Sequence, residues 1–227
     1  MKIFYYKLSL YLNLFRYKIK SFFQKTENDN IVFLKNYFKD RNNGFYIDVG
    51  CFHPIRFSNT MFLYSKGWTG VNIDLSKKSI DLFNIYRPKD INLNFGVGKE
   101  NCLLEYFYNK EIFQSNTFDG GFAKSFLKKN DLKKKKIEVK TLSYLLENYS
   151  FKKNIDLIDI DAEGFDLDVL KGINFDVYEI DLIMIEVHHY NKETNNRAEQ
   201  ILALLTGKGF KLIYGKYPGN CIFKSKK

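Results

Sequence analysis

From residue 44 onward the sequence alternates short apolar runs, rich in β-branched and aromatic residues, with longer runs of helical period. This alternation restricts the possible folds more than any other feature. Residues 45–49, 71–74, 91–97, 103–108, 155–161 and 180–187 read as strands, and 210–214 with 221–224 as a closing hairpin. Residues 58–66, 76–86, 141–148, a run ending at 171, and 195–206 read as helices. Ser58 and Thr141 are placed as N-caps, Gly67 and Gly172 as stops, and Pro88 closes the second helix. Such alternation requires a mainly parallel sheet with helices on both faces. The runs 155–160 and 182–187 suit central strands buried on both sides. The expected fold class is therefore α/β, with an antiparallel edge made by the terminal hairpin.

Residues 1–26 behave differently. They hold Lys2, Lys7, Arg16, Lys18, Lys20 and Lys25 with no acid, and Ile3, Phe4, Leu8, Leu12, Phe15, Ile19, Phe22 and Phe23 fall near helical spacing. A helix with an apolar and a basic face suits a membrane surface, and equally suits packing on the domain. Residues 26–30 read as a linker and 31–40 as a short helix, so the chain divides into a basic amphipathic segment, 1–30, and a domain, 31–227. No run reaches the ~18 apolar residues of a membrane span. Lys7 interrupts the apolar run and no small-residue cleavage site follows, which argues against a signal peptide.

Cys51, Cys102 and Cys221 are far apart and fit neither a disulfide framework nor a metal spacing, so a reducing, cytoplasmic location is expected, with peripheral membrane contact as the variant. His53, His188 and His189 are the only histidines, and no metal site is expected. The formal charge of +10 includes eight lysines within 124–140. That charge attracts anionic partners, but a solvated surface is the simpler reading, and nucleic acid is not the expected partner.

In an open α/β sheet the ligand lies beyond the carboxyl ends of the strands. Those ends read Asp48-Val49-Gly50-Cys51, then Asp74, then Asn94-Phe95-Gly96, then Asp159-Ile160-Asp161-Ala162-Glu163-Gly164, then Glu186-Val187-His188-His189. A glycine after the first strand permits a sharp turn and close ligand approach. Asp74, at the second, is placed to accept from both ribose hydroxyls. The first turn lacks the second glycine that admits a pyrophosphate, so an adenosyl ligand without phosphates fits better than a dinucleotide.

These residues bring a family into view. The chain resembles the FkbM-type methyltransferases from about residue 44 to 224. The likeness rests on Phe45-Tyr46-Ile47-Asp48-Val49-Gly50, Ser58-Asn59-Thr60, Gly70-Val71-Asn72-Ile73-Asp74, Thr141-Leu142 and, above all, Asp159-Ile160-Asp161-Ala162-Glu163-Gly164-Phe165 followed by Val169-Leu170-Lys171-Gly172. It departs from many members at Cys51-Phe52-His53-Pro54-Ile55, where they carry a further glycine. The resemblance implies a Rossmann-like class I methyltransferase sandwich with a seven-stranded sheet, S-adenosylmethionine as cofactor, and O-methylation of sugars or other hydroxyl compounds.

On this reading Asp48, Gly50, Cys51, Asp74, Asn94, Gly96 and Asp161 hold the cofactor. Asp161 is the first choice for the base. Glu163 either shares that role or caps the next helix, and His188 is the alternative base. Asp159 braces the same cleft, and residues 109–136 are expected to help form the acceptor pocket. His53 is expected to make a structural hydrogen bond, and Trp68 and Tyr106–Tyr108 to be core rather than sugar platforms. Three other readings are a nucleotide- or NAD-dependent Rossmann enzyme working on sugars, a methyltransferase-like module that only binds a partner or membrane, and nucleic-acid methylation, which the net charge suggests.

Overall fold

The computed structural model describes residues 2–23, 28–108, 132–150, 152–187 and 192–226. Ten strands are described: β1 (Phe45–Val49), β2 (Thr69–Ile73), β3 (Ile91–Leu93), β4 (Gly96–Val97), β5 (Cys102–Tyr108), β6 (Lys133–Lys140), β7 (Asn154–Ile160), β8 (Glu179–Val187), β9 (Phe210–Gly215) and β10 (Gly219–Ser225). The helices are α1 (Lys2–Phe23), α2 (Asp29–Tyr37), α3 (Met61–Ser65), α4 (Lys77–Tyr86), α5 (Leu142–Tyr149), α6 (Asp166–Lys171) and α7 (Lys192–Gly207). Seven strands form one sheet in the order β3-β2-β1-β7-β8-β10-β9. The first five run parallel, and β10 is antiparallel to both β8 and β9. This is the Rossmann-like sandwich, seven-stranded and closed by an antiparallel hairpin, that the resemblance implies.

The topology fixes where a ligand must go. From β1 the chain steps outward through β2 to β3, and later returns to β7, on the other side of β1, before moving out to β8. The crevice at such a reversal is where open α/β sheets bind ligands. Alternation along β1 sends Phe45, Ile47 and Val49 to the larger core, which α5, α6 and α7 cover. Tyr46 points to the opposite face, among Leu34, Phe38, Leu63 and Trp68 of the α2 and α3 side. Asp48 shares the Tyr46 face, because side chains two apart in a strand point the same way.

Three local expectations are corrected. The run 91–97 is two strands: β3 ends at Leu93, and β4 joins a second, three-stranded sheet, β4-β6-β5. The lysine-rich run is in part a strand, β6, where Lys134 meets Glu105 across the ladder and Lys135 lies over the stacked rings of Tyr106 and Tyr108. Helix α3 starts three residues later than expected, with Thr60 and not Ser58 at its N-cap position, because Ser58 Oγ is taken by Arg87 (2.7 Å). Thr141 and Gly67 act as predicted: Thr141 Oγ1 accepts from Tyr144 N, and Gly67 turns with φ +93°.

Candidate active site

At the β1–β7 switch the ends of several elements enclose one cleft. It is lined by Asp48, Gly50, Cys51, Phe52, Phe57, Ser58, Asn59, Asp159, Asp161 and Glu163. Asp48 and Asp159 are register partners on neighbouring strands. The Asn59 side-chain amide donates to Asp159 Oδ2 (3.0 Å), and Thr60 Oγ1 donates to Asp48 Oδ2 (2.6 Å). Gly50 turns at φ +81°, and a Cβ there would collide with the Asp161 carbonyl, so glycine is what lets this turn lie against the end of β7. Among the described residues three non-glycines hold left-handed backbone, Phe52, Phe57 and Glu163 (φ 52°, 56° and 50°), and all three line this cleft. Each costs about 1–3 kcal/mol, and strain of this kind gathers at functional sites.

A buried arginine holds the loop that forms one wall. Arg87, fully buried at the end of α4, donates from Nη2 to the Pro54 carbonyl and Ser58 Oγ (both 2.7 Å), and from Nη1 to Thr60 Oγ1 (2.8 Å) and Tyr46 Oη (3.3 Å). Two hydroxyls relay its charge: Thr60 passes a hydrogen bond on to Asp48, and Tyr46 passes one on to Asp90 (2.5 Å). Asp90 also accepts from Gly70 N (2.8 Å) and the Asn72 amide (2.9 Å). The cation thus meets two buried carboxyls through bridging hydroxyls rather than head-on.

Asp74 stands at the end of β2, outside the lining of the cleft. It accepts from Phe52 N (2.9 Å) and Ser76 N (2.7 Å), which ties the first turn to the start of α4. A carboxylate has about four lone-pair positions, so two remain for ribose hydroxyls. Asn94 is exposed and donates to the Asp74 carbonyl (2.8 Å), while Gly96 is buried in β4; neither lines the cleft. Cys51 lines it, but the residue packs in a small core with Ile80 and Phe83, where burial pushes the thiol well above its ordinary range.

On the far wall the carboxyls crowd together. The backbone N–H groups of Ala162 and Gly164 go to Asp166 (2.8 and 3.1 Å), so Asp166 closes the turn before α6. Asp161 stands beside Glu186, and its Oδ1 is buried with no hydrogen-bond partner. Burial, then Glu186 and Glu163, hold Asp161 well above the usual carboxylate range. Burial, then Glu186 and Asp166, push Glu163 up to about 8. Burial raises Asp48 to about 6 against the pull of Arg87 and the Thr60 bond, and raises Asp74 to about 6 against its two backbone donors. Asp159 is raised by burial and then by Asp48. His188, His189 and residues 109–131 lie outside the described residues.

These carboxyls set an unusual pH response. The folded state binds protons that the unfolded chain has released by about pH 4. The stability they provide is fully present below that range and is lost as pH rises through about 6 and then about 8. For Asp74 the shift from 3.8 to about 6 amounts to roughly 3 kcal/mol at most. The urea midpoint of the ligand-free protein is expected to fall between about pH 5 and about pH 8, and to fall less in Asp74→Asn. A midpoint that rises over this interval would refute the assignment.

The sequence pointed to most of this cleft but missed Arg87, Tyr46 and Asp90, which carry no local signal, and Glu186, which stands at a strand end like the others. Residues 42–212 match the family model described as the methyltransferase FkbM domain. No curated protein matches the chain. Solved structures similar to it include the following three. A candidate rRNA-methylase from Clostridium thermocellum is 10% identical, with TM-score 0.46 over 88% of this chain and 98% of its own. A TehB-like SAM-dependent methyltransferase from Corynebacterium glutamicum is 11% identical, with TM-score 0.45 over 97% and 100%. A candidate S-adenosyl-L-methionine-dependent methyltransferase from Methanococcus maripaludis is 13% identical, with TM-score 0.41 over 87% and 84%.

Proposed function

The chain belongs to the FkbM family of methyltransferases and uses S-adenosylmethionine; on that premise we propose that its acceptor is a hydroxyl oxygen, that of a sugar in glycan assembly. One observation carries the hydroxyl assignment: Asp161 and Glu163 are half-buried carboxyls beyond the end of β7, both with raised affinity for protons, and Glu186 of β8 stands beside Asp161. An alcohol must give up its proton as it attacks, and a half-buried carboxylate suits that task. The rim adds an apolar surface, since Phe57 is 59% exposed beside the cleft and offers a ring face to a sugar. Trp68 and Tyr106 are buried, which leaves Phe57 as the better platform. The three free thiols suit a reducing, cytoplasmic compartment.

The residues divide the work. Gly50 lets the first turn approach the adenosyl ligand, and Asp74 accepts from the ribose hydroxyls with its remaining lone pairs. When bound, S-adenosylmethionine supplies a methyl carbon on a sulfonium, so the new O–C bond forms as the C–S bond breaks and its electron pair stays on sulfur. The carboxyls of the cleft favour this cation over its neutral product. Asp161 accepts the acceptor's proton, and Asp159 and Asn59 hold the adjoining wall. The alignment they impose supplies part of the barrier lowering.

Calorimetric titration with S-adenosylmethionine tests the cofactor half. The parent protein is expected to bind, and Asp74→Asn to bind about tenfold to a hundredfold more weakly, the worth of a hydrogen bond to a charged group. Equal affinity in the two would remove Asp74 from the site. Transfer of labelled methyl to free or nucleotide-linked sugars, set beside amine acceptors, tests the acceptor half; label on amines alone would overturn the hydroxyl reading.

A further inference from the structure

Helix α1 presents two opposite apolar faces, and only one of them is covered. Leu10 and Leu14 are buried against Leu82 of α4, with Ile55, Ile85 and Tyr86 packed around them. Tyr6 Oη donates to Asp81 (2.7 Å), and His53 Nε2 donates to Asn13 Oδ1 (2.8 Å). His53 Nδ1 accepts from Ile55 N and Arg56 N (3.1 and 3.0 Å), which fixes the neutral tautomer that donates from Nε2. The helix is therefore anchored in a defined rotation.

At about 100° per residue, Phe4, Leu8, Tyr11, Leu12, Phe15 and Ile19 gather on the side away from that anchor. Their exposures are 67, 43, 57, 59, 65 and 45%. Isolated exposed apolar residues are ordinary, but a continuous stripe along a whole helix marks a contact surface. Lys7 and Lys18 lie along one border of the stripe and Arg16 and Lys20 along the other; all four are exposed, and no acidic residue occurs before Glu27. No described helix is long and apolar enough to cross a membrane. A stripe bordered on both sides by cations fits a helix lying in the plane of an anionic bilayer, its rings among the acyl chains and its ammonium groups at the phosphates.

We propose that the outer face of α1 docks this enzyme on an anionic lipid surface. The occupant is a bilayer rather than a second copy of the chain, because the stripe is bordered by like charges that a second copy would bring face to face. Docking also sets the position of the active cleft. The segment that α1 grips at His53, Ile55 and Arg56 continues directly into Phe57, Ser58 and Asn59 of the cleft wall. The cleft is thereby held beside the membrane, within reach of an acceptor anchored there.

Flotation of the full chain with vesicles of phosphatidylcholine and phosphatidylglycerol in equal parts tests this, with pure phosphatidylcholine as control. The expected result is binding to the anionic vesicles that weakens as salt is raised. Phe4→Ser, Leu8→Ser, Leu12→Ser and Phe15→Ser combined should reduce partitioning about tenfold or more. Its urea midpoint should stay that of the parent, because these side chains face away from the domain. Lys7→Glu with Lys18→Glu should abolish the preference for anionic lipid. Absence of binding at low salt, equal binding to pure phosphatidylcholine, or a dimer in solution that the serine substitutions dissociate would each overturn the proposal.

Discussion

Arg87→Ala is expected to lose about 3–5 kcal/mol of unfolding free energy, the cost of removing one partner from a buried ionic network. For a chain of this size that corresponds to a fall in Tm of roughly 6–20 °C. The loss has identifiable parts. The Pro54 carbonyl and Ser58 Oγ lose their donor, and Thr60 and Tyr46 lose the cation that polarises their bonds to Asp48 and Asp90. Asp48 and Asp90 then face burial without the charge that opposes it, so both carboxyls rise further. Arg87→Lys should recover only part of the loss, because an ammonium does not match the planar fork that reaches four acceptors. Urea denaturation of the three proteins measures this directly. A change below about 1 kcal/mol for the alanine variant would mean that water replaces the guanidinium at little cost.

Asp161→Asn should lower kcat by about 10²–10⁴-fold, the usual worth of a positioned proton acceptor. Binding of S-adenosylmethionine should change much less, since the turn at Gly50 and the bonds of Asp74 are untouched. The pH profile separates a base from a spacer. In the parent, kcat should rise with pH as Asp161 gives up its proton, because burial and then the neighbouring Glu186 and Glu163 hold its carboxyl well above the usual carboxylate range. In the asparagine variant that limb should vanish. A variant with an unchanged limb would point to Glu163, whose carboxyl is raised to about 8 and which lines the same cleft.

How far the site can be read from the chain depends on how local its causes are. The strands around it are runs of Ile, Leu and Val bounded by polar residues, and their position sets the reversal between β1 and β7. Asp48, Gly50 and Asp161 follow from asking what stands at strand ends, and all three meet in one cleft. The same question asked of β8 leads to Glu186, which a nearby pair of histidines overshadows in the sequence. Strand β6 is hidden because its Lys133–Lys136 are exposed on both faces and show no two-residue period. Arg87 is harder still. Beside Pro88 it looks like any basic residue at a helix end, and its four acceptors come from two separate segments, β1 and the loop 54–60, that only the folded chain brings to it. Ser58 was a fair N-cap by type, but tertiary competition took its hydroxyl.

The position of β10 has a consequence for how this protein is made. It is synthesised after β9, yet it lies between β9 and β8 in the sheet. While the ribosome is still extending the chain past Gly215, β9 has no route into the sheet, because β10 is what joins it. During that interval the edge of β8 is open along Leu182, Ile183, Met184 and Ile185, residues that are fully buried once β10 pairs with them. An open apolar strand edge is a template for other chains. The most aggregation-prone interval in the life of this enzyme therefore lies between the synthesis of β8 and the arrival of β10, and it closes when a single seven-residue strand slides into the gap.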